Sequence, residues 1–95
     1  MGIEYKIKCE KVPDFDAFLR RQPFFESYDT ERKLYNLRMP GSQKSEDFPD
    51  GYATLESDGI YFCDNLTAKD DAAKILRRLI DEALRFSESI TIHEP

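Results

Sequence analysis

Residues 52–65 read YATLESDGIYFCDN, two runs of β-prone residues on either side of Asp58-Gly59. An Asp-Gly pair in that position is the chemistry of a tight hairpin turn, because glycine takes up positive φ without a steric cost. A two-residue turn on Asp58-Gly59 predicts Ser57 opposite Ile60, Leu55 opposite Phe62 and Thr54 opposite Cys63. Side chains alternate along a strand, so Ala53, Leu55, Ile60 and Phe62 share one face, the natural core side. Tyr52, Thr54, Tyr61 and Cys63 share the other.

After the hairpin, Thr67-Ala-Lys-Asp70 has the spacing of a capping box and predicts the start of a long helix there. Ala72, Ile75, Leu76, Leu79, Ile80, Ala83 and Phe86 recur every three or four residues and form one apolar stripe. Lys74, Arg77, Asp81 and Arg85 lie opposite it, with Asp70–Lys74 and Asp81–Arg85 at the spacing of supportive ion pairs. Arg77-Arg78 therefore reads as part of a salt-laced helix surface. Ser89 to Glu94 closes as a strand, with Ile90 and Ile92 inward and Thr91 and His93 outward.

Before the hairpin, residues 40–51 (PGSQKSEDFPDG) are polar and turn-forming apart from Phe48, and predict a surface loop. Phe48 among Glu46, Asp47 and Asp50 resembles an acidic recognition motif, although such a side chain commonly pins its own loop. Lys33 to Met39 reads as a strand with Tyr35, Leu37 and Met39 on one side, while residues 24–28 fit either a strand or an irregular link. Pro23 ends a short helix that carries Phe15, Phe18 and Leu19, with Asp14 or Asp16 as its cap. Residues 3–10 alternate strictly, with Ile3, Tyr5, Ile7 and Cys9 on one side and Glu4, Lys6, Lys8 and Glu10 on the other.

These elements, over one domain of residues 1–95, define an α+β class. The expected architecture is a two-layer sandwich, with a mixed or mostly antiparallel sheet of four to six strands. Right-handed crossovers place one short and one long helix on a single face of that sheet. The arrangement is similar to a ferredoxin-like fold with additional strand, a likeness of architecture that carries no function.

Composition narrows the partners. A formal charge of −5 argues against nucleic acid, whose phosphates supply most non-specific affinity, and against an anionic membrane surface. Two cysteines do not make a disulfide scaffold, and no basic leader precedes an apolar run. The expectation is a cytoplasmic chain with reduced thiols.

Three chemistries could reside on the strand residues. The row from Asp58 to Asn65 resembles an RNA-binding signature, but an acid replaces its leading base and Ile60 takes the first stacking position. Cys63 and His93, both outward, could form a nucleophile–base pair, yet Asp64 opposes thiolate formation. One histidine with two cysteines on opposite faces does not complete a zinc set, and no glycine-rich loop opens a helix, so no metal and no cofactor is expected. The residues left are Tyr52, Tyr61, Cys63 and His93 on the outward face, with Phe48 in the loop. They point to a non-enzymatic domain that binds another protein or forms a homodimer, since tyrosines combine large contact area with a polar tip. The alternatives are a small-molecule-binding domain or a cysteine-based enzyme at Cys63 and His93.

Overall fold

Six strands and two helices follow one another as β1 (Ile3–Cys9), α1 (Phe15–Arg20), β2 (Phe25–Asp29), β3 (Leu34–Leu37), β4 (Gly51–Glu56), β5 (Gly59–Asp64), α2 (Asp71–Phe86) and β6 (Ile90–His93). This computed structural model describes residues 2–41, 48–67 and 70–95. One open sheet runs in the order β2-β3-β4-β5-β1-β6, and every neighbouring pair is antiparallel. The fold is α+β, as the pattern of elements predicts. Of residues 24–28, Phe25 to Tyr28 form a strand and Phe24 lies in the turn before it.

The central hairpin forms with the predicted faces but a different register. Glu56 pairs with Gly59, Leu55 with Ile60, Ala53 with Phe62 and Tyr52 with Cys63, so the turn is Ser57-Asp58. Gly59 serves the neighbouring strand instead. A Cβ there would stand 1.8 Å from the Ile7 carbonyl oxygen of β1, at φ +157°. The Cys9 amide also donates to the Asp58 carbonyl at 2.8 Å. Docking of β1 therefore draws Gly59 into the ladder and moves the turn one residue back. The shift changes the partners by two positions in sum, which preserves the faces.

Asp14 caps α1, its Oδ1 accepting from the Ala17 amide at 3.0 Å. The apolar stripes of both helices join one face of the sheet in a single buried cluster. Phe15, Phe18 and Leu19 come from α1, and Ala72, Ile75, Leu79 and Ala83 from α2. The sheet contributes Ile7, Tyr35, Leu37, Ala53, Ile60 and Phe62. Leu55 and Ile92 stand on this face at the two ends of the Leu55–Ile60–Ile7–Ile92 row, where cover runs out, and are 39% and 41% exposed. Phe86 is likewise outside the core, with the Arg85 guanidinium 5.5 Å over its ring.

The predicted start of α2 is displaced. Asp70 occupies the N-cap position at φ 72° with no side-chain cap, and the helix begins at Asp71. Thr67 is not its cap because the Thr67 hydroxyl donates to Asp50 Oδ1 at 2.7 Å. Asp50 is not a surface acid either. It is 1% exposed, and its Oδ2 accepts from the Met39 amide at 2.7 Å. Its carbonyl takes the Asn65 amide at 3.0 Å, while Asn65 Nδ2 donates to the Pro49 carbonyl at 3.0 Å. Of the segment read as a surface loop, residues 49–51 are thus buried and tie the end of β3 to the exit of β5. Residues 42–47, with Glu46 and Asp47, lie outside the described residues. Among the described residues, no helix is long and apolar enough to cross a membrane.

Candidate functional site

The sheet face turned away from the core cluster carries two cross-strand rows. One runs Asn36–Tyr52–Cys63–Glu4, the next Thr54–Tyr61–Lys6–His93. Tyr52, Tyr61 and Cys63 are therefore brought together at the centre of the sheet, each half-buried. His93 is exposed on the edge strand β6, opposite Lys6. Phe48 is 54% exposed and takes no place in the buried cluster.

Cys63 and His93 are on the same face but are not a pair. Two ladder spacings of about 4.8 Å and a two-residue offset of about 3.4 Å each put their Cα atoms roughly 12 Å apart. That exceeds the reach of a thiol–imidazole hydrogen bond. The thiol donates instead toward Asn65 Oδ1 at 3.6 Å. Burial first, then the carboxylates of Glu4 and Asp64, push the Cys63 thiol above its ordinary value, against an opposing contribution from the Tyr61 hydroxyl. Gly2 closes over the sulfur, since a Cβ at that position would lie 2.8 Å from Sγ.

Several polar groups on this face pair with one another. Tyr61 donates its hydroxyl to Glu4 Oε1 at 2.5 Å, and burial together with that bond raises its pKa far above the usual phenol value. Lys6 Nζ lies 3.5 Å from Glu56 Oε1 and 3.8 Å from Asp58 Oδ1. Among the described residues, Glu56 Oε1 is buried without a hydrogen bond and is compensated by the Lys6 charge. Toward β2, Asn36 donates to Ser27 at 3.0 Å and Arg38 to Glu26 at 2.6 Å. The result is a polar and aromatic surface with both signs of charge.

A second aromatic cluster, missed by sequence reasoning, lies between α1 and the β2–β3 hairpin. Arg20 stacks over Phe25, Tyr28 and Tyr35 at 5.4–6.0 Å and pairs with Asp16 at 2.9 Å. Tyr35 donates its hydroxyl to Asp16. The Arg20 side chain occupies the space an external cation would need, which makes this cluster a fastening of α1 to the sheet. Its one sequence signal is the four-residue spacing of Asp16 and Arg20.

No protein-family model, curated protein or solved structure matches this chain.

Proposed function

We propose that this chain is a non-enzymatic, cytoplasmic binding domain whose coreless sheet face docks a second copy of itself. The same proposal takes the architecture as a two-layer, ferredoxin-like sandwich extended by the β2–β3 hairpin. Support for the architecture comes from the strand order β4-β5-β1-β6, with α1 following β1 and α2 following β5. Those are the order and connections of a βαββαβ unit.

The observation that carries the docking proposal is the central patch of Tyr52, Tyr61 and Cys63, bordered by both signs of charge. A two-fold contact needs one patch that complements itself. Glu4, Glu56 and Asp58 beside Lys6 and Lys8 meet that requirement, although the whole chain is acidic. Six strands at about 4.8 Å and some six residues at about 3.4 Å make a face of roughly 24 by 20 Å. That plane covers roughly 480 Å², below the ~800 Å² each partner contributes to a standard interface, so the expected contact is a small one that uses the whole face.

Sedimentation of wild type against Tyr61→Arg tests it. Arginine keeps an attraction to Glu4 in the monomer but places an unmatched charge at the centre of the contact. The expected result is a dimer for wild type and a folded monomer for the variant. A wild type that stays monomeric at high concentration refutes the proposal, as does a variant that dimerises equally well. The nucleophilic alternative has its own test, because a Cys63 that alkylates faster than a free thiol at neutral pH would overturn the non-enzymatic assignment.

A further inference from the structure

The outward side of α2 does not form the salt-bridge ladder that its sequence predicts. Arg85 Nη1 pairs with Glu82 Oε1 at 2.9 Å and not with Asp81. Among the described residues, Lys74, Arg77 and Arg78 have no ion pair. Their spacing, with Asp81, is that of one stripe along a helix. This stripe borders a hollow of about 250 Å³ whose other lining is Pro23, Phe24 and Met39. Phe24 is 3% exposed and Met39 is packed against the core cluster, so the apolar wall is anchored. The hollow is on the helix side of the molecule, away from the tyrosine rows, and does not depend on the docking proposal above.

Size and charge both restrict an occupant. A cavity of about 150 Å³ holds a benzene ring, and drug-sized ligands use roughly 300–1,000 Å³. The space here suits one ring or branched chain with a charged group, and is too small for a nucleotide. The chain as a whole carries −5 and repels anions, yet this rim sets three cations against one carboxylate. Arginine guanidinium groups match the two oxygens of a carboxylate in a planar fork. Asp81, a turn beyond Arg77 and Arg78, disfavours a second negative charge at that end. We propose that the hollow binds a small organic monoacid, with its carboxylate on the Lys74–Arg77–Arg78 rim and its apolar body against Phe24 and Met39.

Amide chemical shifts of the full chain, titrated with 3-phenylpropanoate, test this. Saturable shifts should map to Phe24, Met39 and the 74–81 stretch, with a Kd of about 1 mM or tighter. The neutral 3-phenylpropan-1-ol should bind about tenfold more weakly, and inorganic phosphate should not saturate. The double variant Arg77→Gln, Arg78→Gln changes exposed side chains only, so it should stay folded and lose about tenfold in affinity. Met39→Trp, which fills the apolar wall, should abolish binding. The proposal fails if the acid does not saturate, if acid and alcohol bind alike, or if the glutamine variant binds as wild type does. Saturation by phosphate alone refutes it too. Binding of an acidic aromatic peptide without binding of the free acid would assign the hollow to a protein partner, and would equally overturn it.

Discussion

Replacing Asp50 with alanine should destabilise the protein more than its place in a polar loop sequence suggests. The carboxylate is 1% exposed and, among the described residues, accepts 2.7 Å hydrogen bonds from the Met39 amide and the Thr67 hydroxyl. Hydrogen bonds to a charged group contribute about 1.5–3 kcal/mol each, and a backbone N–H stranded in the interior costs about 1–3 kcal/mol more. Removing a buried carboxylate also relieves its desolvation, which offsets several kcal/mol of that sum. The net expectation is a loss of about 2–4 kcal/mol, against a total of roughly 5–14 kcal/mol for a chain of this length. Asp50→Asn separates the bonds from the charge. Its remaining carbonyl can still accept from Met39, and the Thr67 hydroxyl can turn to accept from the new amide. The asparagine variant should therefore lose less than half as much. Urea unfolding followed by circular dichroism measures both, with a lower midpoint at an unchanged slope as the expected sign. An alanine variant within about 0.5 kcal/mol of wild type would refute the clamp, since surface substitutions fall in that range. Equal losses for alanine and asparagine would show that charge, not hydrogen bonding, is what Asp50 supplies.

Two further outcomes can be checked on the same protein. Leu79 is fully buried between α2 and the sheet, so Leu79→Ala should cost about 2–5 kcal/mol, read as a lower unfolding midpoint. Tyr35 and Tyr61 are both raised above their ordinary value of 10.0, chiefly by burial and then by donation to a carboxylate. Their protonated forms are favoured in the folded state, so their contribution is intact below pH 10 and declines as the pH rises above it. A late component of the phenolate absorbance should accordingly coincide with alkaline unfolding, and Tyr61→Phe should reduce it. Early, complete phenolate formation in the folded protein would contradict this.

Features governed by neighbours in the chain were legible from the residues alone. The strict alternation of residues 3–10 and the apolar stripe of α2 follow repeats of two and 3.6 residues, while the Asp14 cap and the stop at Pro23 depend on contacts within one helical turn. The faces of the central hairpin were legible for the same reason. Tyr52, Tyr61 and Cys63 accordingly stand on one surface, as alternation requires.

Contacts between distant segments decided the rest. Gly59 looked like a turn glycine, but β1 passes too close for a side chain and claims it for the ladder. Thr67 had the spacing of a cap, and the buried Asp50 took its hydroxyl. Arg85 had two acids within reach along the helix and pairs with Glu82, which the packing of α2 leaves only 5% exposed. Cys63 and His93 share a face, yet the insertion of β1 between their strands holds them apart. Sequence periodicity therefore settled which side of each element a residue occupies. Strand order and packing settled what it meets there, because partners such as Thr67 and Asp50 or Gly59 and Ile7 are 17 and 52 positions apart in the chain and no local repeat records them.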